Sequence, residues 1–114
     1  MNIDEPGVHS YKVTDLRTVM SEIDDLNGYN LIAYRLTPED TCADDVIVLD
    51  IDPYLENDDE FLTFDGRDYN WEVELFSLKS VKRYAEENGN STSLEALCDA
   101  AKYFLLNRAY APSD

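Results

Sequence analysis

Residues 61–76 read FLTFDGRDYNWEVELF, and this stretch predicts the sheet around which the chain folds. Two runs rich in aromatic and aliphatic residues, 61–64 and 69–76, flank the sequence DGRD. An Asp-Gly pair between two such runs is typical of the tight turn of an antiparallel β-hairpin. The stretch therefore predicts two neighbouring antiparallel strands.

Side chains alternate between the two faces of a strand, and the second arm of the hairpin alternates in polarity. Trp71, Val73 and Leu75 are expected on one face, packed on the core. Glu72 and Glu74 are expected on the opposite face, in water.

Two more strands precede the hairpin. Residues 29–36 (YNLIAYRL) and 46–51 (VIVLDI) are rich in β-branched and aromatic residues, which favour strands. Thr37-Pro38 ends the first, and Pro53 prevents the second from continuing as a central strand. The sequence thus predicts four strands in a row.

Helices are expected on both sides of these strands. The first spans 15–26, where apolar residues recur at helical spacing, with Thr14 as the N-cap. The second runs from Ser77 to about residue 87, and the third begins near Thr92, where Glu95 completes a capping-box spacing.

This order of elements, α-β-β-β-β-α-α, predicts a single α+β domain over residues 1–114. The expected fold is a four-stranded antiparallel sheet with three helices packed on one face. Residues 1–12 are expected to be an irregular lead-in, because Pro6-Gly7 interrupts local order.

The negative charge of the chain is concentrated in its middle. The formal net charge is −16, from 25 acidic and nine basic residues. Residues 36–76 hold fourteen acids and one base, net −13, whereas residues 77–114 hold five of each, net zero. Such uncompensated charge opposes compact folding through mutual repulsion, so a function that uses the charge is expected.

Catalytic and metal-binding patterns are weak. His9 is the only histidine and has no second ligand at a suitable spacing. A calcium loop starting at Asp50 fails, because tyrosine, leucine and phenylalanine occupy positions 5, 6 and 12. Acid–base catalysis by Asp50 with Asp52 would require burial, and a solvated acidic face explains such residues better. No catalytic residue, metal or cofactor is therefore predicted.

The location of the protein is expected to be cytoplasmic. The first residues show no basic start with an apolar stretch, and no apolar run approaches the roughly 20 residues of a membrane span. Cys42 and Cys98 are expected as reduced thiols, and Cys98 lies on the apolar stripe of the third helix as a core residue.

Acidic strands can imitate the phosphates of DNA. Residues two apart on a strand lie about 6.6 Å apart on one face, which is similar to the spacing of successive phosphates on a DNA strand. The pairs Asp50/Asp52 and Glu72/Glu74 have this separation, and acidic loops extend the row. The predicted partner-binding residues are Glu39, Asp40, Asp44, Asp45, Asp50, Asp52, Asp58, Asp59, Glu60, Glu72 and Glu74.

In size, mixed α/β order and the acidic span 36–76, the chain resembles the bacterial DNA-mimic proteins, in particular those that bind the histone-like protein HU. The resemblance implies a cytoplasmic monomer without a cofactor that occupies the DNA-binding surface of an HU-like nucleoid protein. The charge of −16 and the lack of a basic stripe also predict that the protein does not bind nucleic acid itself, and no membrane binding is expected. Two alternatives remain: an immunity or anti-defence inhibitor of a basic nuclease, restriction enzyme or CRISPR effector, and a small divalent-cation-binding protein or enzyme.

Overall fold

The computed structural model describes residues 1–35, 45–52, 54 and 59–110, and for Asp45 and Glu72 it describes the backbone. Within these ranges lie five strands, three α-helices and a short 3₁₀ turn at Ile23–Asp25. In chain order the elements are β1 (Val8–Asp15), α1 (Leu16–Ser21), β2 (Leu31–Arg35), β3 (Asp45–Ile51), β4 (Phe61–Phe64), β5 (Arg67–Glu74), α2 (Leu75–Glu87) and α3 (Leu94–Asn107).

The predicted α+β class, antiparallel sheet and three helices are confirmed, but the sheet has five strands in the order β1-β3-β2-β5-β4. The additional strand is β1, which overlaps residues 1–12, where an irregular lead-in was expected. Its register runs from Val8 opposite Ile51 to Asp15 opposite Asp45. Most of its side chains are exposed, so it carries little of the apolar pattern that identifies a strand.

The sheet curls until its two outer strands approach each other. Tyr11 of β1 and Phe64 of β4 make an edge-to-face contact with ring centroids 5.7 Å apart. Residues 1–3 run along β4 through backbone hydrogen bonds, in which the Ile3 amide donates to the Thr63 carbonyl (3.1 Å) and the Thr63 amide donates to the Met1 carbonyl (2.7 Å). The start of the chain thereby covers the β4 edge.

Each face of the curled sheet has its own hydrophobic core. On the helix face, side chains such as Ile32 and Val46 pack against the helices, and Cys98 of α3 is fully buried there, as predicted. The inner face encloses a second cluster made of Met1, Ile3, Ala33, Ile47, Leu49, Leu62, Tyr69 and Trp71.

A β-bulge corrects the predicted alternation of β5. Ile32 lies opposite Val73, but Tyr34 lies opposite Asn70, so two steps on β2 match three on β5. The extra residue of β5 lies opposite Ala33. The side chains of β5 before and after it therefore do not follow one continuous alternation between the two faces of the sheet. Consequently Trp71 belongs to the inner cluster and Val73 to the helix-face cluster, and the prediction that both share one face is wrong.

The first helix is shorter than the predicted 15–26. Asp15, not Thr14, is its N-cap, and the Asp15 carboxylate accepts a hydrogen bond from the Thr18 amide (2.8 Å). The helix ends at Ser21, and the 3₁₀ turn at Ile23–Asp25 follows. The apolar spacing continued through this turn, which is why one long helix was expected.

The other two helices also begin at different residues from those predicted. The strand expected to reach residue 76 ends at Glu74, and α2 begins at Leu75 rather than after Ser77. The N-cap of α3 is Ser93 instead of Thr92, and its hydroxyl accepts a hydrogen bond from the amide three residues later.

Tyr34 connects the sheet to the end of α3. Its hydroxyl donates a hydrogen bond to the Leu105 carbonyl (3.2 Å) and accepts one from the Arg108 guanidinium (3.0 Å). Burial raises the pKa of Tyr34, and the charge and hydrogen bond of Arg108 oppose this rise. The protonated phenol is therefore favoured in the folded state.

This shift predicts a loss of stability at alkaline pH. A raised folded-state pKa contributes stability that is fully present below about pH 10, the ordinary tyrosine pKa, and is lost as the pH rises through the folded value. Melting temperatures measured from pH 8 to 11 should fall more steeply above pH 10 in the wild type than in Tyr34→Phe. Tyr29→Phe, with an exposed ring, is the control and should follow the wild type.

The hydrogen bond from Lys82 to Asp24 also raises the pKa of Lys82, so part of the alkaline decline is common to all three proteins. The difference between the wild type and Tyr34→Phe isolates the tyrosine. Parallel curves for these two proteins would contradict the role assigned to Tyr34.

Candidate partner-binding site

Of the eleven predicted partner-binding residues, five have side chains that the structure describes: Asp50, Asp52, Asp59, Glu60 and Glu74. The backbone alone is described for the two residues Asp45 and Glu72. The predictions for Glu39, Asp40, Asp44 and Asp58 lie outside the described residues.

Asp50 and Asp52 do not occupy two equivalent strand positions. Asp50 lies in β3 opposite Ser10 and is exposed. Asp52 follows the last residue of β3 and is half-buried; its carboxylate accepts a hydrogen bond from the Tyr54 amide (2.9 Å), and its own amide donates to the Gly7 carbonyl (2.8 Å). The separation of about 6.6 Å predicted for Asp50 and Asp52 assumed that both lie in one regular strand. It therefore does not apply to this pair.

Glu74 lies where β5 passes into α2. It is the last residue of the strand, opposite Leu31, and it is also the N-cap of the helix. Its exposed side chain makes no capping hydrogen bond, but a negative charge at a helix N-terminus is favourable. The strand spacing used for the predicted Glu72/Glu74 pair therefore ends at a helix N-terminus.

Asp59 and Glu60 precede β4, and Asp59 is anchored from the inner core. The indole N–H of Trp71 donates a hydrogen bond to the Asp59 carbonyl (2.9 Å). The α-ammonium of Met1 forms an ion pair with the Asp59 carboxylate (2.5 Å) and donates to the Phe61 carbonyl (2.8 Å). The Asp59 side chain remains 61% exposed, and Glu60 is exposed as well.

The predicted acids do not all lie on one side of the sheet. Asp45 begins β3 opposite Arg35, whereas Asp50 lies near the other end of that strand, more than about 15 Å away at 3.3 Å per residue. Asp50 follows Leu49 of the inner face and therefore lies on the helix face, while Glu74 follows Val73 of the helix face and lies on the inner face. The described carboxylates consequently form a distributed acidic surface.

Two further exposed carboxylates, Asp65 and Asp68, lie at the tip of the β4–β5 hairpin and were not among the predicted partner-binding residues. The predicted turn is confirmed: Asp65 and Gly66 both have positive φ, 52° and 72°, as a tight hairpin turn requires. Asp68 accepts a hydrogen bond from the Thr63 hydroxyl (3.2 Å). Two carboxylates within the four residues DGRD were the available signal, although the motif was interpreted as a turn alone.

Over the described ranges, no group of three or more histidine, cysteine, aspartate and glutamate side chains could hold a metal ion. His9 is exposed where the β1–β3 register shifts. None of the helices in these ranges is long and apolar enough to cross a membrane.

Comparison of the chain with protein-family models, with curated proteins and with solved structures found no match. Charge and geometry are therefore the basis for the functional proposal.

Proposed function

We propose that this protein binds a basic DNA-binding protein, of the HU-like nucleoid type, on the surface that otherwise holds DNA, and that it competes with DNA for that surface. The supporting observation is the net charge of −13 within residues 36–76, beside a segment of zero net charge at 77–114. Of the seven carboxylates of this segment whose side chains are described, Asp52 is half-buried and the other six are exposed: Asp50, Asp59, Glu60, Asp65, Asp68 and Glu74.

The charge gives both a driving force and a partner preference. Repulsion among these carboxylates opposes folding in the free protein, and a basic surface relieves it on binding. Long-range attraction also accelerates encounter with a basic partner. Phosphates surround a duplex on all sides, so carboxylates on several sides of the sheet are compatible with imitation of DNA by charge density.

A competition experiment tests this proposal. Fluorescently labelled duplex is bound to purified HU, and its anisotropy is followed as this protein is added at about 50 mM salt. We expect the anisotropy to fall to the value of free duplex, because both ligands need one basic surface. The protein added to duplex alone should leave the anisotropy unchanged, since like charges repel.

Polyglutamate at equal total charge is the matched control for mere acidity. It should displace less DNA, because binding must order its whole chain, whereas the sheet already holds carboxylates such as Asp50 of β3 and Glu74 of β5 in place. Equal displacement by polyglutamate would contradict the contribution of the fold. A ternary complex that retains DNA would contradict competition itself.

A nuclease or other defence effector would meet the same electrostatic requirement as an HU-like protein. A low-salt pull-down from lysate, eluted with a salt step and analysed by mass spectrometry, distinguishes these partners. Recovery of a nucleoid protein supports the proposal, and recovery of a nuclease with its inhibition in vitro would replace it.

A further inference from the structure

A cleft of about 590 Å³ lies between α2 and α3. Tyr84 of α2 and Asp99 and Tyr103 of α3 line it. The connection between these helices contributes residues 89–91, and Tyr110 beyond the end of α3 completes the wall. We refer to this site as the tyrosine cleft. Its volume falls within the range of small-molecule sites, roughly 300–1,000 Å³.

Aromatic stacking holds part of the cleft wall in place. The rings of Tyr84 and Tyr110 stack almost parallel, with centroids 4.5 Å apart and planes at 7°. The ring of Phe104 also packs against Tyr110, with the two ring centroids 5.7 Å apart. These contacts hold Tyr110 against the helices, although its side chain is still 42% exposed. The wall is therefore organised before any ligand binds.

Asp99 supplies the negative charge of the cleft. It lies one helical turn before Tyr103, so both side chains belong to one face of α3. The Asp99 side chain is exposed, and its carboxylate makes no hydrogen bond or ion pair with any described residue. Among the described residues that line the cleft, Asp99 is the one with a charged side chain.

We propose that the tyrosine cleft binds a small organic cation, an alkylammonium or guanidinium group carried on an apolar or aromatic body. Electron-rich tyrosine faces attract cations, and the Asp99 carboxylate supplies a charge-assisted hydrogen bond. The apolar body packs against the stacked rings. An anion is disfavoured by Asp99 and by the overall charge of −16. This site is independent of the DNA-mimic proposal.

A charge series of small probes tests the proposal on the full ¹⁵N-labelled chain by NMR titration. The probes are 2-phenylethylammonium, neutral 2-phenylethanol and anionic 3-phenylpropionate, which have similar aromatic bodies. We expect saturable shifts at the amides of residues 89–91 and 96–100 with the cation. The alcohol should bind about tenfold more weakly, and the anion should cause no saturable shift.

Single substitutions distinguish specific binding in the tyrosine cleft from general attraction of a cation to an acidic protein. Asp99→Asn should remove the tenfold preference for the cation over the alcohol. Asp65→Asn makes the same charge change at the exposed tip of the β4–β5 hairpin, outside the cleft wall, and should keep that preference. Tyr84→Leu should weaken both probes, because the stacked wall is lost.

Equal affinity for the cation and the alcohol in the wild type would overturn the proposal. So would equal weakening by Asp99→Asn and Asp65→Asn, since that result would indicate nonspecific attraction. Amide spectra outside the cleft serve as the check that each variant is folded.

Discussion

Trp71→Ala is expected to lower the free energy of unfolding by about 3–5 kcal/mol. Trp71 is 8% exposed, packs in the inner cluster and holds the Asp59 carbonyl through its indole N–H. Its removal opens a cavity inside the curl and leaves that carbonyl without its donor. Urea denaturation followed by circular dichroism measures the effect, since the chain has no other tryptophan as a fluorescent probe.

Two further variants show how much of that loss comes from the indole hydrogen bond and how much from the buried ring. Trp71→Phe retains most of the apolar volume and loses the hydrogen bond, so it should cost about 1–2 kcal/mol. Phe76→Ala truncates a ring that is 42% exposed and should cost less, about 1–2 kcal/mol. A loss for Trp71→Ala no larger than that for Phe76→Ala would show that the inner cluster contributes little to stability.

The second large effect is expected on partner binding. Neutralising four described carboxylates of the acidic segment should weaken HU binding at low salt roughly 100-fold, at 0.5–1 kcal/mol for each exposed pair. Amides are used because they preserve the acceptor oxygens, including the one that bonds the Tyr54 amide. The substitutions are Asp50→Asn, Asp52→Asn, Glu60→Gln and Glu74→Gln.

The matched control also removes four negative charges, but from exposed residues outside the acidic segment. It should weaken binding less than tenfold, because those carboxylates lie outside residues 36–76. The control substitutions are Asp25→Asn, Glu86→Gln, Glu87→Gln and Glu95→Gln.

The salt dependence of binding gives a second measurement on the same proteins. The slope of log affinity against log salt should be shallower in the site variant than in the wild type or the control variant. Equal losses in both variants would show that net charge, and not the acidic segment, determines affinity. A wild-type affinity independent of salt would contradict electrostatic binding altogether.

Local signals account for what the sequence predicted well. The Asp65-Gly66 turn follows from two residues that tolerate positive φ, and the apolar spacing of α3 identifies its buried face without knowledge of any partner. β1 was missed because its pairing with β3 joins residues about 30 to 43 positions apart, and its exposed side chains show no apolar alternation. No pattern within eight residues encodes such a distant partner.

The placement of the acidic residues was less predictable than their exposure. Charge alone indicates that Asp50 and Glu74 lie in water, and both do. Their faces depend on strand register and strand ends, which the bulge opposite Ala33 and the early start of α2 at Leu75 alter. The predicted row of carboxylates relied on regular strands, whereas the structure shows one carboxylate after a strand end and another at a helix start.

The contact of residues 1–3 with β4 has a consequence for synthesis on the ribosome. These residues leave the ribosome before their backbone partner Thr63, which follows about sixty residues later. Chain growth at about 5–20 residues per second leaves this segment without its partner for several seconds. Closure of the curl must therefore await translation of β4, and the inner cluster assembles late, after α1 and β1 have left the exit tunnel.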